Sequence, residues 1–168
     1  PVIDVGGGRS TLVDDLLARG YTDLSVLDLS ESALAQARER LGAAGATVAW
    51  HVADVVNAAL PDAHYGLWHD RAVFHFLTQP DDRQRYVDTV RRAVRVGGHV
   101  IVATFAPDGP DRCSGLEVVR RQGDGEHRHD HRKTAGLIDA VLHPLGQVVE
   151  VGVAGVELGE GVQDADHR

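Results

Sequence analysis

Hydrophobic positions along the chain fall into two alternating rhythms. Val2, Ile3 and Val5 form a short, nearly continuous apolar run, the pattern of a strand buried on both faces, and Leu12, Val13, Leu16 and Leu17 then recur at helical spacing. The spacing predicts a first strand over Val2–Val5, a helix over Thr11–Arg19 closed by Gly20, and a second strand over Leu24–Leu29. Ser30 is an N-cap candidate for a helix over Glu31–Leu41, with Gly42 near its end. A third strand is expected over Thr47–Val52 and a fourth over Tyr65–His69, after a loop containing Pro61. Asp81–Val94 reads as an amphipathic helix with Tyr86, Val87, Val90 and Val94 on its apolar side, and Gly97-Gly98 turns the chain into a fifth strand over His99–Phe105. Strands alternating with short helices give an α/β layer built on a parallel sheet.

Beyond Phe105 the rhythm weakens. No later residue is aromatic, and residues 120–133 carry no apolar side chain. Gly136–Leu145 could form a short helix stopped by Pro144, Gln147–Leu158 a weak hairpin or strand pair, and Gly159–Arg168 has the composition of a disordered tail. At 168 residues one domain is expected. No apolar run approaches the length of a membrane span, so no membrane partner is expected. The formal net charge of −8, with no long basic stripe, argues against a nucleic-acid partner. A single cysteine, Cys113, excludes an intrachain disulfide and suits a reducing cytoplasm. The chain contains no methionine and starts at a strand residue, so it is expected to be a fragment lacking an N-terminal helix or arm.

The most informative chemistry lies in Asp4-Val5-Gly6-Gly7-Gly8-Arg9-Ser10, between the first strand and the first helix. Glycines there let the backbone approach a ligand closely and adopt φ values that a side chain disfavours. Two cofactors fit such a turn. A dinucleotide fingerprint wants G-x-G-x-x-G; Gly6 and Gly8 satisfy its first two positions, but Thr11 stands at the third. Asp28 ends the second strand, where a carboxylate can accept both hydrogens of a ribose diol, and this feature suits either cofactor.

Taken together with its companions, the turn resembles motif I of the class I S-adenosylmethionine (SAM) methyltransferases. Ser10 replaces the usual third glycine of that motif. Ala53-Asp54, at the end of the third strand, matches the family position whose acid binds the adenine amino group, and Arg95-Val96-Gly97-Gly98-His99-Val100-Ile101-Val102 resembles the family's turn into its fifth strand. Trp68-His69-Asp70-Arg71-Ala72-Val73-Phe74-His75-Phe76-Leu77-Thr78 looks like a segment of a bacterial methyltransferase subgroup, with relatives among eukaryotic protein-lysine methyltransferases. The resemblance implies a Rossmann-like methyltransferase fold, a mostly parallel twisted sheet with helices on both faces, as one SAM-binding domain over residues 1–158 whose stretch 120–158 is irregular. It further implies SAM as cofactor, held by Asp4, Gly6, Gly7, Gly8, Ser10, Asp28, Leu29, Asp54, Val55 and Asp70, and methyl transfer to an unidentified small-molecule or protein acceptor. Asp70, Arg71 and His75 are the catalytic candidates, with Asp70 placed to orient an amine or hydroxyl nucleophile and His69 a further possible base. The family likeness ends near Val119-Arg120, where the chain is either divergent or frameshifted.

Plainer alternatives stand beside these readings. A SAM-binding module without catalysis and a nicotinamide-dependent oxidoreductase are the competing functions. His75 sits in an apolar stretch and is either a satisfied, half-buried histidine or a base, while Trp68 and Phe105 suit the core and Cys113 a packed small residue. His127, His129 and His131 alternate as zinc ligands on a strand would, but lack a fourth ligand at standard spacing, so no metal is expected.

Overall fold

The computed structural model describes residues 1–71, 73–105 and 111–119, together with the backbone of residues 148–153. Eight strands and three α-helices follow one another as β1 (Val2–Val5), α1 (Leu12–Ala18), β2 (Leu24–Asp28), α2 (Glu31–Leu41), β3 (Ala49–Val52), β4 (Tyr65–Arg71), α3 (Pro80–Ala93), β5 (Val94–Phe105), β6 (Arg112–Cys113), β7 (Leu116–Glu117) and β8 (Val148–Val153). Six of the strands make one sheet in the order β3-β2-β1-β4-β5-β8, parallel at every described pairing. β6 and β7 form a separate antiparallel hairpin.

Alternation along the strands separates two cores. Val2, Leu24 and Val26 point to one face, where Val13 of α1 and Leu34 of α2 cover them. Ile3, Val5, Leu27, Trp68, Val100 and Val102 point to the other, against Tyr86, Val87 and Val90 of α3. Helices therefore cover both faces, and every residue of β1 is buried, which fits an apolar run of Val2, Ile3 and Val5 interrupted only by the buried Asp4. The short side chain of Ser30 caps α2, accepting from the Ala33 amide at 3.2 Å.

Several boundaries differ from the sequence reading for identifiable reasons. β3 begins at Ala49 because Gly42–Thr47 tightens into a 3₁₀ turn in which Thr47 Oγ1 donates to the Ala44 carbonyl at 2.9 Å. α3 starts on Pro80, which needs no helical N–H donor in the first turn. β4 runs through Asp70 and Arg71 because β5 supplies Val102 and Ala103 as partners for them. β5 begins at Val94, and the Gly97-Gly98 turn is a register shift inside it: Tyr65 pairs with Val94, then Leu67 with His99.

The far edge of the sheet is formed by one described strand. Within Gln147–Leu158, read as a hairpin or strand pair, Val148–Val153 is a single strand that runs parallel to β5 and satisfies its outer edge. The helix expected over Gly136–Leu145, the histidines at 127, 129 and 131, and the tail Gly159–Arg168 lie outside the described residues. Among the described residues no helix is long and apolar enough to cross a membrane.

Leu34 is wholly buried, whereas Leu29, the residue after β2, is 71% exposed. Leu34→Ala is expected to lower the unfolding free energy by about 2–5 kcal/mol in urea denaturation, and Leu29→Ala to change it by less than about 0.5 kcal/mol. Equal losses would contradict the assignment of the core.

Candidate cofactor and transfer site

The strand order reverses at β1, which has β2 on one side and β4 on the other. Ligands of open α/β sheets bind beyond the carboxyl ends of the strands at such a point. The turn after β1 is built for close approach. Gly6 has φ +74° and its amide donates to the Leu27 carbonyl at 2.7 Å, while a Cβ there would collide with the Val73 side chain. At Gly8 a Cβ would lie 2.8 Å from the Ala33 Cβ and from Asp28 Oδ2.

That crowding reflects a clamp on Asp28. Its Oδ2 accepts from the Gly8 amide at 3.0 Å and its Oδ1 from the Ser30 amide at 2.8 Å, so the carboxylate ties β1's turn to the start of α2. Each oxygen keeps a lone pair for a further donor. Leu29 stands exposed beside it. Two residues beyond the next strand, β3, Asp54 is exposed and caps a 3₁₀ turn, its Oδ1 accepting from the Val56 amide at 3.1 Å, with Val55 buried beneath.

The start of α1 is secured from outside. Ser10 Oγ accepts from the Leu12 amide at 3.1 Å, and the Ser10 carbonyl accepts from Arg40 Nη2 at 2.8 Å. Arg40 also grips both oxygens of Asp14, at 2.9 and 2.7 Å, and this contact holds the Asp14 carboxyl below its usual range. Sequence reasoning missed Arg40 because nothing in the helical pattern of α2 marks which exposed arginine reaches across to α1.

β4 delivers two acidic–aromatic arrangements to opposite faces. Asp70 is fully buried; it accepts from the Val73 amide at 2.8 Å, the Phe74 amide at 3.1 Å and the Tyr86 hydroxyl at 2.7 Å. Trp68 Nε1 in turn donates to the Tyr86 hydroxyl at 3.0 Å. Burial pushes the Asp70 carboxyl up to about 6, although those donors and the neighbouring His69 pull it down. Asp70 lies within β4, one residue beyond the strand end expected from the sequence, and its carboxylate shapes the Val73–Phe74 turn, while Arg71, the last residue of β4, is exposed.

On the α1/α2 face, His69 Nδ1 lies 2.7 Å from Asp4 Oδ1, and Asp4 is 3% exposed. His75 is 2% exposed and neither ring nitrogen has a partner among the described residues, so it is more deeply buried than its sequence setting suggested. Its ring packs on Phe76 and Phe105 at 4.3 and 4.8 Å between centroids, and burial lowers its pKa to about 4, which leaves it neutral at ordinary pH. Cys113 is a half-buried free thiol in the β6–β7 hairpin. Among the described residues no group of three side chains is placed to hold a metal ion.

The buried Asp70 carboxyl makes stability depend on pH. Its folded pKa lies above the unfolded value, so the native state binds more protons between about pH 4 and about pH 6 and stability falls as pH rises through that window. Relative to Asp70→Asn, the wild-type chain is expected to lose on the order of 2 kcal/mol between about pH 4 and about pH 7 in urea denaturation. A pH-independent difference would contradict this account.

A family model described as "Methyltransferase domain" matches residues 2–98. No curated protein matches the chain. Among solved structures, an S-adenosylmethionine-dependent methyltransferase from Mesorhizobium loti is 28% identical with a TM-score of 0.57, covering 66% of this chain and 49% of that one. The glycopeptide N-methyltransferase MtfA, complexed with SAM, is 26% identical with a TM-score of 0.50 over 58% of this chain and 44% of that one. Burkholderia thailandensis 1,6-didemethyltoxoflavin-N1-methyltransferase, bound to 1,6-didemethyltoxoflavin and S-adenosylhomocysteine, shares the fold at 22% identity and a TM-score of 0.60, over 83% of this chain and 58% of that one. The chain spans about half the length of these solved structures. The family match covers more than half of the sequence, from β1 through the register shift of β5, and the chain belongs to the methyltransferase-domain family.

Proposed function

We propose that this chain binds SAM across the carboxyl ends of β1, β2 and β3 and transfers its methyl group to an acceptor held beyond β4 and β5. The observation that carries the reading is the unfinished hydrogen bonding at those strand ends. Asp28 is fixed by two amides yet keeps acceptor capacity on both oxygens, and buried Asp4 Oδ2 has no hydrogen-bond partner among the described residues. An ionised carboxylate oxygen buried without a donor is costly, so a cationic group against the glycine turn fits it. The ammonium of SAM's amino-acid end supplies that cation, with Gly6, Gly7, Gly8 and Ser10 forming the surrounding turn. Asp28 takes the ribose hydroxyls, exposed Leu29 offers an apolar surface to the adenine, and Asp54 and Val55 bound its far side.

When bound, SAM supplies a methyl group on a sulfonium, an activated leaving group that departs as a neutral thioether. The protein's part is positioning and exclusion of water. Asp70 acts as a positioning residue, because its carboxylate is committed to the Val73 and Phe74 amides and thereby sets the turn facing Gly6. Arg71 and His75 line the acceptor side. His75 is almost fully buried and stays neutral at ordinary pH, so it backs the acceptor side without adding positive charge there.

Thermal-shift titration tests the reading directly. S-adenosylhomocysteine at a hundred times its Kd is expected to add about 2.7 kcal/mol of stability, NAD to add none, and Asp28→Ala to remove the response. A shift with NAD alone would favour an oxidoreductase, and no shift with either would sink the SAM reading. Binding of SAM without turnover across an acceptor panel would leave a non-catalytic binding module.

A further inference from the structure

The Asp4 carboxylate is held asymmetrically, and the asymmetry identifies a residue with a role of its own. Asp4 of β1 and His69 of β4 are direct partners in the parallel register. Their side chains meet on the α1/α2 face, His69 Nδ1 to Asp4 Oδ1 at 2.7 Å, with the aspartate almost fully buried and the histidine about one-fifth exposed. An ionised carboxylate only accepts, so Nδ1 carries the hydrogen. The second oxygen, Oδ2, lies against Gly7, where a side chain would overlap it, and has no donor among the described residues.

We infer that His69 is a positioning residue: its Nδ1–H pins Asp4 Oδ1 so that Oδ2 faces the glycine turn and receives the cationic amino-acid end of the cofactor. The inference rests on the SAM reading above. It also removes His69 from the candidate bases. Its Nδ1 is committed to Asp4, and strand alternation sends it to the face opposite Asp70, away from the Tyr86 network. A free aspartate can rotate about χ1 and χ2; buried and pinned at one oxygen, Asp4 presents the other in a single orientation, which lowers the ordering cost when a cation binds.

Two ligands and three variants separate this role from a general structural one. S-adenosylhomocysteine carries the amino-acid end, and 5′-methylthioadenosine keeps the adenine, ribose and sulfur without it. His69→Leu in the full chain is expected to raise the Kd for S-adenosylhomocysteine roughly ten- to a hundredfold, the loss of a hydrogen bond to a charged group, while the Kd for 5′-methylthioadenosine changes less than about twofold. His69→Asn, whose Nδ2 occupies the place of Nδ1, is expected to restore S-adenosylhomocysteine binding to within about threefold of wild type. His69→Gln, whose amide nitrogen corresponds to Nε2, is not. Parallel weakening of both ligands, or no change in either, overturns the inference, as does an equal response of the Asn and Gln variants. If His69→Leu fails to fold, the Asn–Gln contrast decides alone. Wild-type chain that binds neither ligand instead refutes the SAM reading itself, an outcome distinct from a SAM-binding chain indifferent to His69.

Discussion

β1 has a parallel neighbour on each side, and the organisation of the candidate site depends on that placement. The chain leaves β1 toward α1 and β2, whereas β4 joins from the opposite side, so the carboxyl end of β1 is where connections diverge and a crevice opens. The backbone must turn sharply there under a buried strand. Gly6 takes a positive φ against Val73, and Gly8 brings its amide onto Asp28. The turn, the end of β2 and the start of α2 thus form one hydrogen-bonded unit.

Around that unit the two faces of β4 carry different tasks. Toward α3, Asp70, Tyr86 and Trp68 form a buried chain of donors and acceptors that fixes how β4 ends. Toward α1 and α2, His69 and Asp4 leave one carboxylate oxygen without a donor among the described residues. The first arrangement is closed, apart from the energetic cost of burying a carboxyl; the second is open by one bond.

The elements most legible in the sequence were those with strong local signals. β1 and α2 have the boundaries expected from the apolar run and from Ser30, because burial on both faces and a side-chain cap are encoded within a few residues. Tertiary pairing decided the rest. β4 extends to Arg71 because Val102 and Ala103 lie opposite, and Val148–Val153 joins β5 as a parallel strand. For the site, the glycine turn, Asp28 and Asp54 were readable as motif positions. The Asp4–His69 pair was not, since the residues lie 65 positions apart and meet only through strand register. Tyr86 was placed on the apolar side of α3, correctly for burial, yet its hydroxyl's partners come from β4.

The central claim is that the glycine turn and the Asp28 clamp together form the cofactor seat. Amide NMR of the full chain titrated with S-adenosylhomocysteine tests it most directly. The expected result is saturable shifts of the Gly6, Gly7, Gly8 and Ser30 amides along one binding curve, with Leu24 and Val90 in the core unmoved. Saturable binding that leaves those four amides unshifted would contradict it.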